Sequence, residues 1–71
     1  MIINLKVLCF NNFYIQVDDS ITVKELKRLI EAKTQTRNFN IQKENRYLHD
    51  LLDLNTYEFS KNDCIELVYE K

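Results

Sequence analysis

Thr22-Val-Lys-Glu-Leu-Lys-Arg-Leu-Ile-Glu-Ala-Lys33 is the stretch of this chain in which a helix start, an apolar stripe and a stop occur together. Thr22 has the side chain of an N-cap. Glu25 stands three residues on, where a carboxylate reaches back to the N-cap amide and closes a capping box. Val23, Leu26 and Ile30 fall at i, i+3 and i+7, with Leu29 widening the stripe, while Lys24, Lys27, Arg28 and Glu31 are expected to face water. The spacing predicts one amphipathic helix ending at Lys33. A helix with a single apolar face needs a surface to lie on, and the flanking residues say what that surface is.

On the N-terminal side, Ile3, Leu5 and Val7 alternate with Ile2, Asn4, Lys6 and Leu8. Phe13, Ile15 and Val17 alternate in the same way with Tyr14 and Gln16, the two-residue period of half-buried strands. Asn11-Asn12 between them is a hairpin turn signal, and Asp18-Asp19-Ser20 hands the chain to the positive end of the helix dipole. On the C-terminal side, Thr34 to Asn38 must end the helix without a glycine cap. Phe39 and Ile41 mark a short third strand, Gln42 to Asn45 an exposed edge and turn, and Tyr47-Leu48 one more short strand. Leu51, Leu52, Leu54, Tyr57 and Phe59 read as an irregular core-forming connection with a helical turn. After a turn at Asn62-Asp63, Cys64 to Tyr69 forms the last strand, with Ile65, Leu67 and Tyr69 on one face and Cys64, Glu66 and Val68 on the other. A hairpin, a helix and a last strand returned parallel to the first by a right-handed crossover make a β-grasp. The expected class is α+β, a mixed four- to five-stranded sheet with one helix packed on one face, as a single domain over residues 1–71.

Composition narrows the function classes. Seventy-one residues leave no room for a second domain or a large pocket. With 45% apolar and 30% charged residues the chain reads as an ordinary soluble globule, without a membrane span or a signal peptide, so it is expected inside the cell, in cytoplasm, nucleus or both. Ten basic and eleven acidic residues give a net charge of −1 and no basic stripe, which argues against nucleic acid. Cys9, Cys64 and His49 are too few and wrongly spaced for zinc, and with the first and last strands parallel the cysteines would lie roughly 15 to 20 Å apart, too far for a disulfide or a shared thiol site. No cofactor, metal or catalytic residue is expected. With neither Gly nor Pro in the chain, turns are expected to fall to Asn and Asp, and glycine-loop chemistry is excluded.

The opening Met1-Ile-Ile-Asn-Leu-Lys-Val-Leu8, the segment Ile15 to Ile30, the pattern Leu54-x-x-Tyr57-x-Phe59 and Ile65-Glu-Leu-Val68 together resemble ubiquitin, from Met1 to Tyr69 with a gap of about two residues after the helix. The resemblance implies that the strand and helix residues are core and that the Tyr57 hydroxyl ties down the connection. Members of the family that are conjugated to other proteins end in Gly-Gly, and this chain contains no glycine, so it is not expected to act as a tag. The family docks partners on an apolar patch of the open sheet face. Leu8, Val68, Lys6 and Arg46 match that patch, whereas Gln42 replaces its central isoleucine and Glu66 its histidine. Leu26-Lys-Arg-Leu-Ile30, Ala32-x-Thr34-x-Thr36-Arg37, Tyr57-Glu58 and Glu66-Leu67-x-Tyr69 are similar to the small spliceosomal member of the family, the one described as homologous to ubiquitin.

The candidate site is therefore the open sheet face, Lys6, Leu8, Gln42, Arg46, Glu66 and Val68. The expected function is a non-catalytic, monomeric ubiquitin-like module that binds another protein non-covalently. It would serve either as the N-terminal module of a larger protein of the ubiquitin and proteasome pathway or, alternatively, as a free-standing regulator of pre-mRNA splicing. Asp18-Asp19 and Asp50 with Asp53 could hold a cation but read first as acidic turns. Lys24, Lys27 and Arg28 read as a solvated helix face, with a docking surface as the alternative.

Overall fold

The computed structural model describes residues 1–69. Strand β1 (Ile2–Leu8) pairs antiparallel with β2 (Phe13–Asp18), helix α1 (Val23–Thr34) follows, and β3 (Phe39–Lys43), β4 (Arg46–Tyr47) and β5 (Asn62–Tyr69) complete one sheet in the order β2-β1-β5-β3-β4. β5 runs parallel to β1 and antiparallel to β3, so the sheet is mixed. This is the β-grasp expected from the sequence.

The helix begins as its residues dictate. The Glu25 amide donates to Thr22 Oγ1 at 3.1 Å and the Thr22 amide to Glu25 Oε1 at 3.4 Å, which completes the capping box. Val23, Leu26 and Ile30 are fully buried against Ile3, Leu5, Val7, Ile41, Leu54 and Ile65 in one core. Leu29 is not part of it and stands 47% exposed. At about 100° per residue, Leu26, Ile30 and Val23 span a narrow sector of some 60°, and Leu29 falls about 60° outside one edge of it. Lys27 falls about 40° beyond the other edge. It does not face water but lies partly covered, its ammonium 2.6 Å from Asp50.

The glycine-free chain still uses left-handed backbone. Among the described residues five have positive φ, namely Gln35, Asn38, Glu44, Asn45 and Glu58. Asn supplies two of them, but Gln and Glu supply the others, so the expected monopoly of Asn and Asp does not hold. Gln35 is the αL cap of α1, its amide donating to Glu31 O at 2.7 Å. Glu44-Asn45, both positive, make the tight two-residue hairpin between β3 and β4, whose geometry matches strand twist. Asn11-Asn12 does not work this way. The β1–β2 loop is held by Asn12 Oδ1 accepting from the Cys9 amide at 3.0 Å, and neither Asn adopts positive φ.

The connection after β4 has two jobs. Leu54 and Phe59 enter the core, and a single 3₁₀ turn, Leu54–Tyr57, is capped by Asp53. Leu51 and Leu52 stay outside it, because the backbone there is committed to the helix. Leu52 O accepts from the Val23 amide at 2.9 Å and Asp50 O from the Lys24 amide at 3.1 Å, satisfying first-turn donors that would otherwise be orphaned. The Tyr57 hydroxyl accepts from the His49 amide at 2.7 Å, the tie implied by the resemblance. Asn62-Asp63 is no separate turn, since Asn62 already begins β5 and pairs with Asn4.

Candidate docking site

Because α1 covers one face of the sheet, side chains that alternate to the other face are left to solvent, and the register assembles them into rows. Directly opposite residues share a face. Leu8 lies opposite Glu66, Glu66 opposite Gln42, and Gln42 opposite Tyr47, one row across β1, β5, β3 and β4. At about 4.8 Å per strand this row spans roughly 14 Å. One step along the sheet, Tyr14, Lys6 and Cys64 form a second row, and one step the other way Val68 pairs with Asn40.

Five of the six residues singled out from sequence, Lys6, Leu8, Gln42, Glu66 and Val68, thus share one face. Arg46 does not join them. It pairs with Lys43, which belongs to the helix side of the sheet, where its ammonium lies 4.8 Å from the centre of the Phe59 ring and 3.5 Å from Asp63. Arg46 stands on the exposed β3–β4 edge and Tyr47 takes the place in the row. Tyr47, 60% exposed, and Tyr14 were missed in the sequence reading. The signal was available for Tyr47: a two-residue turn at Glu44-Asn45 sets the register so that Gln42 meets Tyr47 and not Arg46. Cys64, read as incidental, lies opposite Lys6. That register also places Cys64 only three residues, about 10 Å along the strand, from Cys9, nearer than the sequence suggested yet still beyond disulfide reach. Both thiols are free.

The centre of the face is an open depression of about 320 Å³ between Leu8, Gln42, Cys64 and Glu66, closed at one end by Glu44 and Asn45. Gln42 Nε2 donates to Asn45 Oδ1 at 3.3 Å, so the hairpin turn orients the amide that sits where the family carries isoleucine. Among the described residues Lys6, Arg46 and Glu66 take part in no ion pair. A carboxylate flanked by Leu8 and Val68, with Tyr47 beyond Gln42, is therefore free to meet a donor from outside. Such a surface presents apolar area beside charged side chains, Glu66 and, in the next row, Lys6. Among the described residues no group of three or more His, Cys, Asp or Glu side chains could hold a metal ion, and no helix is long and apolar enough to cross a membrane.

The aspartates are committed to structure. The Thr56 hydroxyl and amide hold Asp53 below its ordinary value, and the Ser20 amide does the same for Asp18. The Met1 ammonium is raised, chiefly by its hydrogen bond to Asp19 at 3.0 Å, with burial opposing. The acidic turns considered as cation sites are accounted for by these contacts, and Asp50 by Lys27.

No protein-family model matches the chain, and no curated protein does. Its shape, however, is that of known structures. The UBL domain of Plasmodium falciparum Dsk2 superposes with a TM-score of 0.88 at 24% identity, over 99% of this chain and 100% of that one. Ubiquitin of Caldiarchaeum subterraneum gives 0.91 at 14% identity, over 100% and 96%. A chain from a structure described as molecular mimicry of SUMO that promotes DNA repair gives 0.84 at 15%, over 94% and 90%. At these identities the likeness establishes the ubiquitin-like fold.

Proposed function

We propose, from the premise of a ubiquitin-like fold, that this chain is a non-catalytic interaction module that docks another protein through its open sheet face, without cofactor and without conjugation. One observation carries the reading. The uncovered face sets Leu8 and Val68 beside Glu66, with Tyr47 beyond Gln42 in the same row, and the Glu66 carboxylate has no ion pair among the described residues. The similarity to the UBL domain of Dsk2 supports a modular role.

The chemistry of the face specifies the partner further. A ligand that inserts an apolar side chain at the centre would bury Glu66 and the Gln42 amide without partners, at a cost of about 1 to 3 kcal/mol or more. The fitting partner sets apolar side chains over Leu8, Val68 and Tyr47 and an arginine or lysine over Glu66. It acts inside the cell, in cytoplasm or nucleus.

The test is affinity capture from lysate with three baits: the native chain, Leu8→Asp with Val68→Asp, and Glu66→Arg, each required to keep the native circular-dichroism spectrum. Both variants are expected to lose the same bound set. Proteasome components in that set place the module in the degradation pathway, and splicing factors place it in pre-mRNA processing. A set that neither variant disturbs overturns the open-face reading.

A further inference from the structure

A second depression lies away from the open face, where the β1–β2 loop, the last turn of α1 and the end of β5 meet. It measures about 460 Å³, and Phe10, Phe13, Tyr69, Lys33, Thr34 and Thr36 are among its walls. Phe10 is 94% exposed, the most of any large apolar side chain described, and its ring is held 6.2 Å from that of Tyr69. An aromatic ring left in water on a short loop, beside a second ring, is a side chain without its apolar partner.

The polar wall is already directional. Thr34 Oγ1 donates to Ile30 O at 2.9 Å, so toward Thr36 Oγ1, at 2.7 Å, it can only accept. Thr36 therefore donates to Thr34 and accepts from the Tyr69 hydroxyl at 2.9 Å. Every hydroxyl proton of this chain of bonds is spent inside the protein. What remains toward the cleft is lone pairs, so this wall takes N–H donors.

Charge supplies the rest. Lys33 lines the cleft, and an adjoining depression that shares Thr36 is lined by Arg28, Arg37 and Glu31. None of these four is in an ion pair among the described residues. Three cations face one carboxylate, and the roughly half negative charge at the C-terminal end of the helix offsets only part of the surplus.

We propose that this cleft binds an acidic linear peptide segment of a partner protein. A phenylalanine or leucine side chain of the segment enters between Phe10 and Tyr69, its backbone N–H groups meet the lone pairs of Thr36 and Tyr69, and its carboxylates lie on Lys33 and Arg37. The site is separate from the open face and does not depend on it. Three cations in so small an area, on a chain of net charge −1, do not form the basic track that a nucleic-acid backbone needs.

The probe is an acetylated, amidated peptide of sequence EDEFLDEE titrated into the isotope-labelled chain, with KDKFLKKK as its control and a thymidine oligonucleotide as a third ligand. Amide shifts are expected at Phe10, Asn11, Lys33, Thr36 and Tyr69 with the acidic peptide alone, saturating below about 1 mM. Phe10→Ser and Lys33→Glu should each weaken binding about tenfold or more, whereas Leu8→Asp with Val68→Asp should leave it unchanged. The proposal is overturned if shifts map to the open face, if the basic peptide or the oligonucleotide binds as well, or if nothing saturates. It is equally overturned if Phe10→Ser, at a position too exposed to affect folding, binds like the native chain.

Discussion

Replacing Asp63 by Asn tests how the central strand of the docking face is anchored. One carboxylate oxygen accepts from the Cys64 amide at 2.8 Å, and the other accepts from the Ser60 amide at 3.2 Å with Lys43 Nζ 3.5 Å away. Burial is the largest single influence on this carboxyl and raises it, but the two amides and Lys43 together outweigh burial and hold it below 3.8. An asparagine keeps the shape and can still accept from Cys64. Its NH₂ group, however, would face the Ser60 amide and the Lys43 ammonium, donor against donor. Losing one charge-assisted hydrogen bond and leaving its donors unpaired costs about 2 kcal/mol, a fall in Tm of about 10 °C for a domain this size.

The pH dependence identifies the cause. A carboxyl whose folded pKa is depressed contributes stability that is fully present above its unfolded value and is lost as the pH falls through its folded value. Once protonated, Asp63 also presents a donor to Ser60 and Lys43, and it then resembles the variant. In urea unfolding, the gap between native and Asp63→Asn chains should be about 2 kcal/mol near neutral pH and narrow progressively as the pH falls below the ordinary carboxylate value. A gap that persists in acid would mean that shape, not charge, is lost, and no gap at neutral pH would mean that the anchor contributes nothing.

Two further substitutions probe the other ties. Thr22→Ala removes the acceptor for the Glu25 amide and one half of the capping box, with an expected loss of about 1 kcal/mol in urea unfolding. An unchanged midpoint would show that the backbone contacts from Asp50 and Leu52 suffice to start the helix. Tyr57→Phe removes the acceptor of the His49 amide. It should cost about 1 kcal/mol and speed hydrogen exchange at that amide selectively. Exchange as slow as in the native chain would discount the tie.

The parts of this protein that could be read from its residues are those in which a local pattern and the tertiary demand agree. Thr22 with Glu25 starts the helix where it starts, Val23, Leu26 and Ile30 are its buried stripe, and the alternation through Ile3, Leu5, Val7 and Ile65, Leu67 assigns the two faces of the sheet. Leu29, Leu51 and Leu52 misled because hydrophobicity alone does not say whether a backbone is already engaged or an angle already full. Left-handed Gln35, Glu44 and Glu58 carry no local signal, since such residues adopt that region only when the surrounding packing leaves the chain no other closure. For the site, the resemblance to the family's docking patch brought together Lys6, Leu8, Gln42, Glu66 and Val68, and strand alternation agrees with it. Choosing Tyr47 over Arg46 needed the length of one turn, and the cleft beside Phe10 needed three segments that only the fold makes neighbours.

The strand that arrives last is also the one in the middle. β5 joins β1, 58 residues earlier at Asn4 and Asn62, to β3, and without it the sheet is two unconnected pieces. During synthesis β1, β2 and α1 leave the ribosome with the inner edge of β1 unpaired and the core open on one side. They wait several seconds at about 5 to 20 residues per second. For that interval there is no open face, since Glu66 and Val68 have yet to be joined to the chain. A partner meeting the nascent protein therefore finds no assembled face to hold, and an unrelated strand finds the bare edge of β1, a vacancy that Asn62 to Glu66 will fill.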